Sequence, residues 1–307
     1  MEATVCARFK NVSLCAVRLR FFFLLTAVLA ATHLSGCAYL FRSNENIPQV
    51  IAPTFLQAES SSPRGVFVVV HGLNLNPEVM EPLSQHLRSL GFHVYRVVLS
   101  GHRERAESEE PFTEAAWQAD LDEAYAAVRS HYPELPLYVL GYSLGGLLSA
   151  DFVLRHSDAP VQKMILIAPA LSLRTVDEAA GVLTWLPAMT VEVPNVAPRE
   201  YRRFSTTPLF WYQNTLSLYA DAKWDEGLSK LASVETLVFV NPRDELVSWK
   251  GTQSWIASYE LKSGWTVEVV RPRSKAIKTF EHLMIDEQSL GEEVWGQMKE
   301  RIARFLE

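Results

Sequence analysis

Short apolar runs alternate with amphipathic stretches along most of this chain, and that alternation narrows its fold more than any other feature. The runs are 66–70 (VFVVV), 137–140 (LYVL), 164–168 (MILIA) and 237–240 (LVFV). Each is too short to be a helix, and most are rich in residues that suit a pleated surface. Uninterrupted runs of this kind predict strands buried on both faces. Residues 92–99 and 265–270 are expected to add two more. Between the strands lie helix signals. Asn76-Pro77 pairs a capping side chain with a first-turn proline, and Gly91 marks the end of that helix. Thr113 is expected to cap a helix that gathers Trp117, Leu121, Tyr125 and Val128 on one face. A further helix runs to about Arg155, and the last carries Val294, Met298, Ile302 and Phe305. Strand–helix alternation predicts an α/β fold, a mostly parallel central sheet with helices on both faces.

One stretch breaks the rhythm. Residues 171–224 show no clear strand but hold Trp185, Leu186, Pro187, Met189, Phe204, Phe210, Trp211 and Tyr212. A structureless loop of that length is uncommon in a compact domain, so the segment is expected to be a helical cap inserted over the sheet. The plainer alternative is a helical excursion that merely packs on it.

Composition removes several classes. With 48% hydrophobic and 21% charged residues, the chain is neither disordered nor fibrous. A net charge of −6 and a pI near 5.8 give no footprint for phosphate backbones, so no nucleic-acid partner is expected. Cys6, Cys15 and Cys37 all lie near the N-terminus, which excludes disulfides and cysteine-bound metal from the body of the chain. The histidines have no metal-ligand spacing, and no metal site is expected.

The N-terminus reads as a secretory signal. Arg8, Lys10, Arg18 and Arg20 precede an uncharged 14-residue run, 21–34, rich in apolar and small residues. It ends in Leu34-Ser35-Gly36-Cys37, which resembles the bacterial lipobox. That resemblance implies cleavage before Cys37 and lipid on its sulfur. The alternative is an uncleaved anchor, since 21–41 is free of formal charge and about long enough to span a bilayer. Residues 1–36 are therefore expected to be a signal peptide and 37–62, turn-rich and polar, a lipid tether and linker. Residues 63–307 are expected to form the main α/β domain. Ala38 follows the cysteine in place of an aspartate, so an outer-membrane location facing the periplasm is expected.

Gly141-Tyr142-Ser143-Leu144-Gly145 fits G-x-S-x-G, and it follows an apolar strand and opens a helix, the context such a nucleophile elbow requires. The helix N-terminus behind Ser143 favours developing negative charge. A serine hydroxyl needs a base to remove its proton, and on such a scaffold the order is Ser, acid, His. Only His156 and His282 follow Ser143. His156 ends the helix that begins at the elbow, about 18 Å away. His282 is thus the expected base. The loop after 237–240 supplies Asp244, with Glu245 as the neighbour open to confusion; Asp221 and Asp225 precede the strand and fit less well. The oxyanion donors are expected to be the backbone N–H groups of Leu144 and Leu73, the latter presented by the turn at Gly72. His71 is read as structural.

His71-Gly72, Ser100-Gly101-His102, the elbow 141–146, Asp244-x-x-Val247 and His282 together resemble an α/β-hydrolase of the monoacylglycerol lipase and lysophospholipase-like group. The resemblance covers roughly 63–307. It implies hydrolysis of small-molecule acyl esters, lipids among them, through an acyl-enzyme and without a cofactor. Two departures stand out. The segment Leu73-Asn74-Leu75-Asn76 is less glycine-rich than in many relatives, and the cap matches nothing assignable. A peptidase or amidase on the same fold is one alternative; Tyr142 and Leu144 in the elbow and the apolar cap weigh against it. A binding protein without catalysis is another, opposed by the complete Ser, Asp, His order.

Overall fold

Each residue of β2 (Gly65–Val70) is buried, and its side chains feed two separate cores. Val66, Val68 and Val70 face one, while Phe67 and Val69 face the other. That period of two, apolar on both sides, is what a central parallel strand demands. The computed structural model describes residues 50–103, 113–156, 160–174, 192–222, 224, 226–277 and 280–307. The expected signal peptide, Cys37 and the tether up to residue 49 lie outside the described residues, as does 175–191 of the expected cap.

The main sheet has seven strands among the described residues, in the order β1-β3-β2-β4-β5-β8-β9. Here β1 is Thr54–Leu56, β3 is Phe92–Arg96, β4 is Leu137–Tyr142 and β5 is Val161–Ile167. β8 is Glu235–Val240 and β9 is Trp265–Val269. All neighbours pair in parallel except β1, which runs antiparallel to β3. This is the α/β-hydrolase arrangement. The edge strand β1 corrects one expectation, since it lies inside the stretch taken for a linker. Phe55 secures it by packing on Tyr95 and His131, with ring centroids 4.5 and 4.4 Å away. Three residues are too few to show a period.

Helices α1 (Glu81–Ser89) and α8 (Glu292–Leu306) cover one face through Leu83, Leu87, Trp295, Met298 and Ile302. α2 (Glu114–His131) and α3 (Leu144–Arg155) cover the other through Trp117, Leu121, Leu147 and Phe152. Asn76 does cap its helix, but the first turn, Pro77–Met80, is 3₁₀. Thr113 makes no capping side-chain bond. On α8, Leu306 is buried and Phe305 only partly so. The strand expected over 92–99 ends at Arg96; Val97 N–H still donates to Val69 O at 3.0 Å, and the Leu99 N–H turns to the His71 ring, 3.1 Å away.

The described part of the cap is not wholly helical. β6 (Glu192–Pro194) and β7 (Thr206–Pro208) pair antiparallel, and α4 (Leu209–Asp221) follows. Helices α5 (Leu228–Ser233), α6 (Trp249–Ser258) and α7 (Glu287–Leu290) complete the described set.

Candidate active site

Loops leaving the C-terminal ends of β2, β4, β8 and β9 meet at one edge of the sheet, the usual place for a site on a parallel sheet. The elbow after β4 is held by sterics. Ser143 has φ 53° and ψ −116°, in a region that ordinary residues avoid. The turn closes only because two glycines let backbone pass backbone. A β-carbon on Gly141 would lie 2.3 Å from the Gly145 carbonyl oxygen, and one on Gly145 would lie 2.3 Å from that of Val70. The strained turn is anchored by Ser143 N–H donating to Ile167 O and by Ala170 N–H donating to Ser143 O.

Ser143 Oγ lies 2.9 Å from His282 Nε2, and His282 Nδ1 lies 2.7 Å from Asp244 Oδ2. The other Asp244 oxygen accepts the N–H groups of Leu246 and Val247, both at 2.8 Å. The carboxylate is therefore filled on its backbone side and free to turn only towards the imidazole. Both side chains are buried, which strengthens their coupling by excluding water. Three residues 139 positions apart in sequence at most are thus brought into one hydrogen-bonded line.

Several residues that sequence reasoning left without a role hold this line in place. The Tyr142 hydroxyl donates to the His282 carbonyl at 3.1 Å, tying the elbow to the histidine loop. Glu245, the alternative acid, faces away from the imidazole and accepts the N–H groups of Glu281 (2.7 Å) and His282 (3.0 Å). Asn241 donates to the Glu281 carbonyl at 2.8 Å, so two loops are cross-stitched. Adjacency to Asp244 was the only sequence signal for Glu245, and none pointed to Tyr142 or Asn241. His156 sits on Asp122 at 2.8 Å, away from the serine as expected.

The loop 71–74 packs against the elbow. A β-carbon on Gly72 would meet the Tyr142 ring at 2.9 Å and the Ser143 β-carbon at 3.1 Å. Leu73 and Leu144 line the same cavity as Ser143 and His282. Leu144 is the first residue of α3, where N–H groups have no partner within the helix. Among the described residues, no acceptor is bonded to the N–H of Leu144 or Leu73. His71 is structural: Nδ1 donates to Gly72 O at 2.8 Å and Nε2 accepts the Leu99 N–H. Burial, which disfavours the charged ring, lowers its pKa to about 4. His102 lies 4.5 Å from it, centroid to centroid, and burial likewise drives its pKa well below the usual histidine value.

The cavity over Ser143 has a volume of about 160 Å³. Its walls include Leu75, Leu173, Val196, Ala197, Leu216, Leu246 and Phe280. Among the described residues lining it there is no Asp, Glu, Lys or Arg. No cluster of metal-binding side chains occurs among the described residues.

A sequence profile of the family described as serine aminopeptidase, S33, matches residues 61–224, just over half of the chain. The chain belongs to that family. Two similar curated proteins are ester hydrolases by name. The monoglyceride lipase of Rattus norvegicus is 27% identical over 51% of this chain and 55% of its own length. The pimeloyl-[acyl-carrier protein] methyl ester esterase of Vibrio cholerae is 36% identical over 33% of this chain and 35% of its own. This S33-family chain thus spans about half the length, or less, of the curated relatives it matches. Among solved structures, a soluble variant of monoglyceride lipase from Saccharomyces cerevisiae aligns with a TM-score of 0.62 at 14% identity. That alignment covers 87% of this chain and 97% of the yeast one, and establishes the shared fold.

Proposed function

We propose that the protein is a carboxylic ester hydrolase acting on acyl lipids or similar small acyl esters through Ser143. The observation that carries this reading is the Ser143–His282–Asp244 line at the floor of a cavity whose described walls bear no Asp, Glu, Lys or Arg. His282 Nε2 takes the serine proton as Oγ attacks the acyl carbonyl. The N–H groups of Leu73 and Leu144 stabilise the oxyanion, and Asp244 holds the ring orientation and offsets the imidazolium charge. Collapse returns the proton to the leaving alcohol and leaves an acyl group on Ser143. Water, activated by the same imidazole, then releases the carboxylic acid.

The family description names an aminopeptidase, which would have to bind a peptide ammonium. A carboxylate is the usual means, and the described walls offer none. The named activities of the rat and Vibrio relatives also favour an ester. The deciding experiment sets p-nitrophenyl esters and monoacylglycerols against aminoacyl amides, with wild type and Ser143→Ala. Ester turnover abolished by the substitution supports the reading; amide turnover alone overturns it.

The N-terminal motif supports a second part of the proposal, an envelope lipoprotein anchored through Cys37 and facing the periplasm from the outer membrane. Palmitate incorporation that disappears in Cys37→Ala is the expected result. A wild type that takes up no palmitate overturns it.

A further inference from the structure

We propose that Asn74 is a positioning residue that couples the cap to the oxyanion hole, so that a seated cap tightens the aim of the Leu73 N–H. This rests on the ester-hydrolase reading of the site. Asn74 directly follows Leu73 in the loop that packs against the elbow. Its φ is +48°, a left-handed conformation that asparagine tolerates better than most residues with a β-carbon. It therefore keeps the turn a glycine would allow and gains a side chain.

That side chain is buried and points into the cap. Oδ1 accepts the Phe204 N–H at 2.8 Å, which fixes the amide orientation because only the oxygen can accept. Nδ2 then faces Thr206 O at 2.9 Å, Thr207 Oγ1 at 2.6 Å and Phe204 O at 3.2 Å. The Asn74 carbonyl accepts the Arg203 N–H at 3.0 Å. One residue thus binds the whole segment 203–207.

The other end of the coupling is the pair of peptide planes flanking Leu73. The Gly72 carbonyl and the Leu73 N–H share one plane, and His71 Nδ1–H fixes it by donating to that carbonyl. The Asn74 N–H belongs to the next plane and donates to His102 Nε2 at 2.9 Å. Both planes are thus pinned from the core, by His71 and by His102, and Asn74 adds a restraint from the cap. If segment 203–207 shifts, Asn74 loses its restraint from the cap, and the Leu73 N–H is left aimed by the two histidines alone, less tightly held on the oxyanion position.

The test uses full-length protein and counts active sites by fluorophosphonate titration. Asn74→Gly keeps the backbone conformation and deletes the link. Its kcat per titrated site on p-nitrophenyl octanoate should fall about 10- to 100-fold, with KM within about twofold. Inhibition by an alkylboronic acid, which forms a tetrahedral adduct on the serine, should weaken by the same factor. Thr207→Val should show a smaller loss of the same kind and add little in the Asn74→Gly background, because both cut one link. Unchanged kcat per site and boronate affinity in Asn74→Gly overturn the inference, as does a loss confined to the number of titratable sites. Multiplicative losses in the double variant overturn it too. Should Asn74→Gly not fold, Thr207→Val decides alone by the same two readouts. A wild type inert to esters and to fluorophosphonate overturns the ester reading and this inference with it; an active wild type with an unaffected Asn74→Gly overturns this inference only.

Discussion

Asp244 and Glu245 are adjacent carboxylates with separate tasks, and the difference lies in what each oxygen faces. Asp244 spends one oxygen on two backbone N–H groups and the other on the imidazole. Glu245 spends both on the backbone of the histidine loop. Asp244→Asn should preserve the fold and lower kcat by about 10⁴, since an amide can hold the imidazole in the wrong tautomer. Glu245→Gln keeps one acceptor and should cost only about tenfold, the worth of roughly one hydrogen bond to a charged group. Ester turnover per titrated site in the two variants separates them, and equal losses would contradict the division of labour.

The elements that carry the site differ in how far sequence reveals them. The strand of residues 66–70, the elbow and the final helix were legible because each has a period or a motif that one core imposes. The edge strand Thr54–Leu56 and the short pair Glu192–Pro194 and Thr206–Pro208 were not, because three residues show no period and their pairing is set by distant partners. In the site, chain order and the histidine count pointed to Ser143, Asp244 and His282, which the structure brings within hydrogen-bond distance. Asn74, Tyr142 and Glu245 act through backbone groups far along the chain, which no local pattern encodes. The loop 71–74 also makes stability depend on pH. The folded protein holds His71 at a pKa of about 4, below the 6.5 of an exposed ring, so between those values the unfolded chain binds more protons. Stability should be full above about pH 6.5 and fall as pH drops towards 4, by about 3 kcal/mol from this group. Urea midpoints measured across that range should show the slope in wild type and a shallower one in His71→Gln.

The molecule is an α/β-hydrolase with a cap whose described part closes an apolar cavity over one serine. Each methylene buried there is worth about 0.8 kcal/mol, roughly fourfold in kcat/KM, until the cavity is full. Rates on p-nitrophenyl esters should therefore climb from acetyl to octanoyl; a preference for acetyl would contradict an acyl-chain pocket. The central claim is that Ser143 is the nucleophile of an ester hydrolase. Its most direct test is fluorophosphonate labelling followed to completion, with peptide mapping and ester turnover read on the same samples. One adduct per chain is expected, on Ser143, with turnover that falls in step with the labelled fraction. Turnover that survives complete labelling, or an adduct that maps to another residue, would contradict it.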